Sequence, residues 1–419
     1  MKILWITNIP FPETSRILGK KVVVGGGWMR SLAAELSQKP GINLYIATTY
    51  EGQSLFRHQE NSMYFFLLPQ SRKQYKYDRS LEPHWNKLLE EIKPDIIHIH
   101  GTELAHGMAC INAAPTFRYV ISLQGLASVI EEYFYAGIHP FKYLRHITLS
   151  DIKSRTTIFD GRRAIKARKS IELKYLNNCR HIIGRTFFDY SHVKSINPDV
   201  RYYYCGEALR PHFYECERWT LSGKHNYTIF MSQAYSQWKG LHKLLMALSF
   251  IKKEYPGVQL RIAGADITGG SKWVQRINSY GSYIRNLVRK LGVEENVTFL
   301  GSLDEEGMTL EYRSAHVFVM TSIIENSPNS LGEAQIIGTP CVASFVGGIP
   351  DMVDDGVNGL LYRYEDHIAL AYKIIKIFAD DDLAVTLSAN GQKAAAKRHD
   401  RNSIANRTLE IYEQLLSNR

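Results

Sequence analysis

Short apolar runs alternate with amphipathic stretches along almost the whole chain. In the first half the runs cover residues 3–7, 44–48, 95–100, 119–123 and 181–184. In the second half they cover residues 228–231, 259–263, 297–300, 316–320 and 341–345. Runs this short, with apolar residues at successive positions, are typical of parallel strands buried on both faces. The alternation of strand and helix therefore predicts doubly wound α/β domains with parallel sheets.

The length of the chain predicts two such domains. Its 419 residues are more than twice the size of a domain of roughly 150 to 200 residues. We expect an N-terminal domain over residues 1–205 and a C-terminal domain over residues 206–399. A last helix, residues 400–419, has an apolar side, but its periodicity does not say which domain receives it.

Composition excludes several classes of protein. Hydrophobic residues make up 45% of the chain and charged residues 22%, which is ordinary for a globular protein and unlike a disordered or fibrous one. No window approaches the roughly 20 apolar residues of a membrane-spanning helix, and no separate signal segment precedes the first strand. The five scattered cysteines indicate neither a disulfide framework nor a zinc site. We expect a cytoplasmic protein.

Positive charge is concentrated in one stretch. The formal net charge is +10, and residues 153–185 contain ten lysines and arginines. This basic stretch could meet the inner face of a membrane, a nucleic acid or a phosphate-bearing substrate. A solvated helix face is an equally weighted alternative. Apolar residues lie between the charges and would suit docking on anionic lipid: Ile158, Phe159, Ile165 and Ile171.

Ligands of open α/β sheets bind at the carboxyl ends of strands, so the loops after the strands carry the candidate chemistry. The first loop ends in Gly25, Gly26 and Gly27, whose backbone can approach a phosphate closely. Their spacing matches neither the dinucleotide fingerprint nor a Walker loop. The loop after residues 228–231 contains Lys239, which could meet a diphosphate, although an ordinary surface lysine is the more frequent case.

The segment after residues 316–320 is more informative. Pro328 is expected to begin a helix, so that Glu325 lies just before it and Glu333 in its second turn. Free N–H groups at Asn329 and Ser330 would favour an anion. The two carboxylates could accept hydrogen bonds from vicinal hydroxyls. This combination predicts a pocket for a sugar nucleotide; the alternative is that both glutamates are solvated.

Glu325 and Glu333, with seven residues between them, open a longer ordered pattern. Segments 338–344, 347–350 and 355–361 follow, and segments 297–303 and 312–319 precede. This pattern resembles the donor-site signature of glycosyltransferase family 4 and covers most of the second half. The first half is similar more loosely, through Gly26 and Gly27 and through residues 94–101.

The resemblance implies the GT-B fold, in which two Rossmann-like domains with doubly wound parallel sheets face each other across a cleft. It also implies that the last helix, residues 400–419, packs back on the first domain. The implied reaction transfers a sugar from a nucleotide diphosphate donor with retention of the anomeric configuration. Neither a metal nor another cofactor is expected.

The resemblance also assigns roles to individual residues. Glu333 matches the glutamate that holds the ribose hydroxyls of the donor, and Glu325 matches the one that contacts the donor sugar. Lys239 matches a lysine that steadies the diphosphate as negative charge builds on the leaving group. The other donor-side positions are Gly26, Gly27, Leu303, Asn329, Ser330 and Leu331.

Two positions depart from the family pattern. An arginine usually precedes the lysine by five or six residues, and here Ser232 and Gln233 occupy that region; Gln233 could supply a hydrogen bond instead. Many members carry a histidine in a first-domain loop where this chain has Gln124. A neutral amide can orient a sugar hydroxyl but accepts a proton poorly. The implied mechanism tolerates this change, because the leaving phosphate takes the acceptor proton.

We therefore hypothesise a retaining glycosyltransferase with Glu325, Lys239 and Gln124 as catalytic residues. Its acceptor would be a glycan or a lipid-linked molecule, in surface polysaccharide or glycoconjugate synthesis. A GT-B-type sugar-nucleotide epimerase and a non-catalytic two-domain ligand-binding protein remain open as alternatives. Peripheral membrane contact through residues 153–185 is a further hypothesis. We expect no nucleic-acid partner; salt-dependent binding to DNA or RNA would indicate otherwise.

Overall fold

The computed structural model describes residues 1–19, 26–70, 76–269 and 278–417. Gly25 of the glycine loop and residues 418 and 419 of the last predicted helix lie outside the described residues. Every residue that the sequence predicts to be catalytic or donor-binding falls within them.

The first sheet consists of eight strands: β1 (Lys2–Thr7), β2 (Asn43–Tyr50), β3 (Phe56–Glu60), β4 (Met63–Pro69), β5 (Ile96–His100), β6 (Tyr119–Ser122), β7 (His181–Gly184) and β8 (Arg201–Tyr204). Their order is β3-β4-β2-β1-β5-β6-β7-β8. Neighbouring strands are parallel except at the edge pair β3–β4, which is antiparallel. The order reverses between β1 and β5, so the carboxyl ends of these two strands are the expected ligand-binding position of this sheet.

The second sheet consists of six strands: β9 (Thr228–Met231), β10 (Gln259–Ile262), β11 (Val297–Phe299), β12 (Val317–Met320), β13 (Cys341–Ser344) and β14 (Leu360–Tyr362). Their order is β11-β10-β9-β12-β13-β14, and all neighbours are parallel. The order reverses between β9 and β12. These central strands are buried on both faces, as the unbroken apolar runs predict.

Helices lie between the strands in sequence. Before β9 they are α1 (Pro12–Ile17), α2 (Gly27–Ser37), α3 (Glu82–Ile92), α4 (Met108–Ala113), α5 (Ala127–Glu132), α6 (Pro140–Leu144), α7 (Leu149–Ser154), α8 (Ile158–Asn178), α9 (Phe187–Ile196) and α10 (His212–Glu215). After β9 they are α11 (Leu241–Glu254), α12 (Ser279–Leu291), α13 (Glu305–Ser314), α14 (Asn329–Ile337), α15 (His367–Ala379), α16 (Asp381–Arg398) and α17 (Arg401–Ser417). Within the described ranges, no helix is both long and apolar enough to cross a membrane.

Contacts divide the chain into two compact units, each containing one sheet. The first unit consists of residues 1–128, 166–211 and 399–419, and the second of residues 129–165 and 212–398. Strand and helix alternate within each unit, and parallel pairing dominates both sheets. The prediction of two doubly wound α/β domains is therefore confirmed.

Residues 129–165 group with the second unit, whereas the predicted boundary places them in the first domain. The packing of α6 explains the difference. Tyr143 is fully buried, and its ring centroid lies 6.3 Å from that of Tyr283 on α12. The Nε2–H group of His242 on α11 donates to the Ala136 carbonyl oxygen over 3.1 Å. These contacts join segments that are far apart in sequence, so periodicity alone does not indicate them.

The last helix, α17, packs on the first sheet. Trp5 of β1 donates from Nε1 to the Tyr412 hydroxyl of α17 over 3.0 Å. That hydroxyl lies 2.6 Å from Nδ1 of His98 on β5, and Nε2 of the same ring lies 2.5 Å from Oγ of Ser122 on β6. Burial lowers the pKa of His98 to about 3, so the neutral ring can accept one hydrogen bond and donate the other. Hydrogen bonds thus connect β1, β5 and, through His98, β6 to Tyr412 of α17.

Helix α8 carries much of the basic stretch and buries its apolar side. Ile158, Ile165 and Ile171 are all buried, and Phe159 is 38% exposed. An amphipathic helix on the surface of a globular protein packs in this way. The three isoleucines therefore do not form an apolar face toward lipid.

Candidate functional site

The carboxyl ends of β9 and β12 meet where the strand order of the second sheet reverses. Loops that follow neighbouring parallel strands at such a point diverge and leave room for a ligand. The loop after β9 carries Ser232, Gln233 and Lys239, and the loop after β12 carries Glu325. Together with Ser330, these side chains line one small pocket. Five of the predicted site residues are thus brought together.

A lysine and a glutamate form an ion pair in this pocket. Nζ of Lys239 lies 2.5 Å from Oε1 of Glu325, and Oγ of Ser322 donates to the same oxygen over 2.6 Å. The side chains are only 18% and 13% exposed. Because a partly buried pair is screened little by solvent, each charge holds the other in place. An incoming anion would meet a lysine whose position is already set.

Gly240 allows the two loops to approach each other closely. Its φ is +75°, and a Cβ atom at this position would overlap the carbonyl oxygen of Thr321. The hydroxyl of Thr321 donates to the Lys239 carbonyl over 2.9 Å, and the Ile323 N–H donates to the Trp238 carbonyl over 2.8 Å. Only glycine has both the required conformation and the required size. The distance between Lys239 and its partner depends on this contact.

Two further glycines hold the glutamate loop from its other side. The N–H group of Gly348 donates to the Glu325 carbonyl over 3.0 Å. A Cβ atom at Gly347, where φ is +51°, would overlap the same carbonyl oxygen. The glycine pair after β13 therefore holds the backbone of Glu325 in position.

The N-terminus of α14 opens next to this ion pair. Its first residue is Asn329, one position later than predicted, and the preceding Pro328 provides no side-chain cap. The first N–H groups of a helix have no acceptor within the helix, and the helix dipole favours negative charge there. Among the described residues, the buried Oδ1 atom of Asn329 has no hydrogen-bond partner. This helix end can receive an anionic group.

Glu333 lies in the second turn of α14, as predicted, and is largely buried. The Tyr312 hydroxyl lies 3.0 Å from the Ser330 carbonyl oxygen and 3.4 Å from Oε2 of Glu333. Tyr312 is itself fully buried, so it supports the first turns of the helix. A carboxylate held in this manner can accept hydrogen bonds from paired hydroxyl groups.

The structure does not place every predicted donor-side residue on the pocket wall. Leu331 is fully buried and does not line the pocket. Leu303 lies between β11 and α13 and is absent from the pocket lining given by the described residues. A larger cavity of about 930 Å³ lies at the amino ends of β6 and β7. It is at the opposite end of the strands from the predicted chemistry, so we do not assign the donor to it.

Gly26 and Gly27 lie at the start of α2 in the first unit. Gly26 caps the helix with a φ of +82°. A Cβ atom at Gly27 would lie 2.6 Å from Cγ of Arg210, a largely buried residue. Close packing against the arginine is therefore one structural reason for this glycine. The sequence did not single out Arg210.

Gln124 lies just after β6 and takes part in a hydrogen-bonded cluster. Its Nε2 atom donates to Oε1 of Glu207 over 3.1 Å, and Glu207 forms an ion pair with Arg185. The guanidinium of Arg185 also donates to the Leu123 and Gln124 carbonyls, each over 2.8 Å. The cluster positions the amide, which agrees with an orienting role. The sequence offers one signal for it, since the three residues follow β6, β7 and β8 in turn.

Other buried polar groups surround the end of β5. His100 is buried against Trp5, with ring centroids 4.4 Å apart. Among the described residues, neither of its ring nitrogens has a hydrogen-bond partner, and burial lowers its pKa well below the usual value. A Cβ atom at Gly101 would lie 2.7 Å from Oε2 of Glu103, whose pKa is raised by burial. Sequence reasoning missed Glu103.

Comparison with known proteins gives a family match within the second unit. Residues 217–394 match the family model described as "Glycosyl transferases group 1". This segment is therefore similar to a group 1 glycosyltransferase domain. It contains Lys239, Glu325 and Glu333, and the match agrees with the resemblance drawn from those residues. In the described part of the chain, no three histidine, cysteine, aspartate or glutamate side chains cluster as metal ligands would.

Relatives of the group 1 domain include two curated enzymes. The chain is 29% identical over 178 residues to "D-inositol 3-phosphate glycosyltransferase" of Corynebacterium kroppenstedtii, covering 42% of this chain and 38% of that protein. It is 31% identical over 172 residues to the enzyme of the same name from Streptomyces avermitilis, covering 40% and 36%. The match thus spans less than half the length of these relatives.

Solved structures resemble the whole chain. Sucrose-phosphate synthase from Thermosynechococcus elongatus has a TM-score of 0.72 at 18% identity and covers 100% of both chains. Anabaena HepE, in complex with UDP and glucose, has a TM-score of 0.65 at 17% identity and covers 99% of this chain and 100% of its own. Likeness at this identity concerns the fold. The prediction of the GT-B fold class is confirmed: the chain has two α/β units with parallel sheets, and the group 1 match lies within the second unit.

Proposed function

We propose that the chain is a retaining glycosyltransferase of family 4 that transfers a sugar from a nucleoside diphosphate donor to a glycan or lipid-linked acceptor. The product would be a surface polysaccharide or another glycoconjugate. The observation that carries the proposal is the Lys239–Glu325 pair beside the N-terminus of α14, inside the group 1 domain. A cation, a carboxylate and a helix N-terminus suit the diphosphate and sugar parts of such a donor.

The donor would bind along α14. Lys239 and the N–H groups of Asn329 and Ser330 would face the diphosphate, and Glu333 would accept hydrogen bonds from the two ribose hydroxyls. UDP is the first nucleotide to test, because Anabaena HepE, which has a similar fold, was solved in complex with UDP. We propose that no metal ion is needed, since the lysine and the helix dipole supply positive charge.

In the proposed reaction the bond between the anomeric carbon and the diphosphate oxygen breaks while the bond to the acceptor oxygen forms on the same face. Lys239 would stabilise the charge that develops on the leaving diphosphate. When the diphosphate replaces Glu325 as the ion-pair partner of Lys239, the Glu325 carboxylate would be free to contact the sugar. The acceptor proton would pass to the leaving phosphate oxygen. Gln124 would orient the acceptor hydroxyl without taking the proton.

Calorimetric titration with UDP, GDP and ADP in the presence of a chelator tests the donor site. We expect saturable binding of one nucleotide to the unchanged protein. Glu333→Ala should weaken it by roughly 10- to 100-fold, the value of one or two hydrogen bonds to a charged group. Glu333→Gln keeps the size of the buried side chain and should also bind more weakly. Glu254→Ala, on the exposed end of α11, is the matched control.

The outcomes separate the proposal from its alternatives. Equal nucleotide affinity in all variants would reject the assignment of Glu333. Conversion of the donor sugar in the absence of any acceptor would indicate an epimerase instead. Nucleotide binding with neither sugar transfer to an acceptor nor hydrolysis of the donor would indicate a ligand-binding protein.

A further inference from the structure

Two consecutive short helices present large apolar side chains to solvent. Phe141 and Leu144 on α6 are 70% and 46% exposed, and Leu149 and Ile152 on α7 are 87% and 61% exposed. In each helix the two residues are three positions apart and so lie on one side. These four residues define the apolar surface of the segment 141–152. Exposed apolar residues that cluster in this way mark interaction sites more often than isolated ones do.

Helix α6 packs against α12 on the side of Tyr143. Tyr143 is fully buried against Tyr283, and the ring centroid of His146, just after the helix, lies 5.7 Å from that of the same tyrosine. Helix α7 begins with a capping box in which Asp151, a buried residue, accepts from both the N–H and the hydroxyl of Thr148, each over 2.9 Å. The exposed apolar side chains therefore lie on sides of the two helices that these buried residues leave open.

Exposed cations are interspersed with these apolar residues along the segment. Lys142, Arg145, Lys153 and Arg155 are all exposed. Residues 139–169 contain nine lysines and arginines but only two aspartates. Both aspartates accept hydrogen bonds at helix N-termini, Asp151 from Thr148 and Asp160 from Thr157. Asp151 is buried, whereas Asp160 is partly exposed and pairs with Arg163. The exposed charge of the segment is therefore mainly positive.

A surface that carries both apolar and cationic groups matches some partners better than others. A second copy of the chain would bring two cationic faces together, which is unfavourable. A nucleic acid would offer phosphates to the cations but no apolar medium for Leu149 and Ile152. A bilayer with anionic headgroups offers both, since short amphipathic helices insert apolar residues at the acyl boundary while basic residues stay among the headgroups.

We infer that helices α6 and α7 form a membrane-docking surface, in which Phe141, Leu144, Leu149 and Ile152 insert into an anionic lipid bilayer and the neighbouring cations contact its headgroups. The docking surface precedes the basic stretch 153–185 in sequence, and the isoleucines of that stretch are buried. The docking surface needs neither a nucleotide nor an acceptor, so it goes beyond the proposed function and is tested without it.

Vesicle flotation of the full chain tests the docking surface. The probes are vesicles of phosphatidylcholine alone and vesicles that contain phosphatidylglycerol in addition. We expect flotation with the anionic vesicles and little with the neutral ones. Leu149→Gln combined with Ile152→Gln should lower binding by about tenfold or more. Lys142→Glu combined with Arg145→Glu should lower it by about 25-fold or more, since the loss of each cation near the surface costs about fivefold.

Matched control variants change the same kinds of residue elsewhere. Leu310→Gln on α13 alters a leucine that is 59% exposed, and Lys393→Glu with Lys397→Glu alters two exposed lysines on α16. Both should float like the unchanged protein. All substitutions are on the surface, and equal thermal unfolding midpoints would show that the variants fold.

Three results would overturn the inference. The first is equal flotation of the docking variants and their controls, and the second is no flotation of the unchanged protein with anionic vesicles. The third is self-association or nucleic-acid binding that depends on Leu149 and Ile152 without any flotation. Nucleotide titration should be unchanged in the docking variants, so a failure of the proposed function would be seen separately.

Discussion

The carboxyl ends of the two sheets carry different kinds of polar groups. In the second sheet the loops after β9 and β12 hold an ion pair beside a helix N-terminus, Lys239 with Glu325. In the first sheet the ends of β5 and β6 hold a buried neutral histidine, His100, and an amide, Gln124. The charged site suits an anion, whereas the first-sheet site, in which Arg185 and Glu207 pair with each other beside the amide, suits a ligand that is rich in hydroxyl groups.

The difference teaches how each site is built. The charged site depends on backbone contacts between loops, above all at Gly240, but the sequence indicates it through the spacing of Glu325 and Glu333. The first-sheet site depends on side chains that three separate strands bring together, and Gln124, Arg185 and Glu207 have no fixed spacing. The predictions below test whether donor chemistry resides in the second unit and acceptor chemistry in the first.

Removal of the lysine should have the largest effect. Lys239→Met keeps the length of the side chain but removes the charge that would stabilise the leaving diphosphate. We expect kcat to fall by about 10²- to 10³-fold, as for the loss of one preorganised group at a developing charge. Steady-state kinetics with the donor identified by titration would measure this. Lys253→Met, exposed on α11, should keep normal kinetics, and a kcat within about threefold of normal for Lys239→Met would contradict the assigned role.

A substitution at the loop contact should disrupt the charged site through its backbone. Gly240→Ala forces a Cβ atom onto the Thr321 carbonyl and an unfavourable φ onto alanine. We expect the free energy of unfolding to fall by about 3 kcal/mol or more, together with nucleotide affinity. Urea unfolding followed by tryptophan fluorescence measures the change. Gly257→Ala is the control, because nothing lies within 4 Å of a Cβ at that position; equal midpoints for the two variants would disprove the contact.

Acid should destabilise both units through buried histidines. Burial lowers the pKa of His98 in the first unit and of His242 in the second to about 3. Between about pH 3 and 6.5 the unfolded chain binds a proton at each of them that the folded chain does not, so lowering the pH favours unfolding. From pH 6.5 to 5 each histidine should cost about 2 kcal/mol.

Unfolding in urea at several pH values measures that slope. His242→Gln should make the loss of stability with falling pH less steep, by the share of one histidine. His225→Gln, at an exposed position of the same unit, is the matched control substitution. A slope in His242→Gln identical to that of the unchanged protein would show that His242 is protonated in the folded state.

The smallest expected effect is that of a substitution at Gln124, and it tests most directly whether the two units have different roles. Gln124→Ala removes one orienting amide from the first unit, and we expect kcat/KM for the acceptor to fall by about tenfold, the value of one hydrogen bond. Nucleotide affinity should stay unchanged. A loss of nucleotide affinity as large as the loss of kcat/KM would place Gln124 at the donor instead.

Much of the fold could be predicted from periodicity, because buried parallel strands give unbroken apolar runs. The antiparallel edge strand β3 could not, since it alternates exposed and partly buried residues. Strand β14 has only 3 residues, too few to stand out as an apolar run. The assignment of residues 129–165 to the second unit depends on long-range contacts such as Tyr143 with Tyr283, which local pattern does not contain.

The candidate site was predictable where it depends on spacing along one segment. Glu325, Asn329, Ser330 and Glu333 occupy one loop and one helix, so their order places them together. The approach of Lys239 to this segment depends on the pairing of β9 with β12, which the sequence suggests only through the resemblance. Roles such as that of Arg210 depend on packing partners far away in sequence, and no local signal indicates them.

The hydrogen bond between Trp5 and Tyr412 joins residues 407 positions apart, and it has a consequence for synthesis on the ribosome. The first sheet cannot complete its packing until α17 has emerged from the ribosome. The second unit needs only residues up to 398, so all of its segments are present before α17 is made. Although β1 is made before any part of the second unit, its contact with α17 forms only after that unit has been synthesised, and until then Trp5 and His98 lack their shared hydroxyl partner.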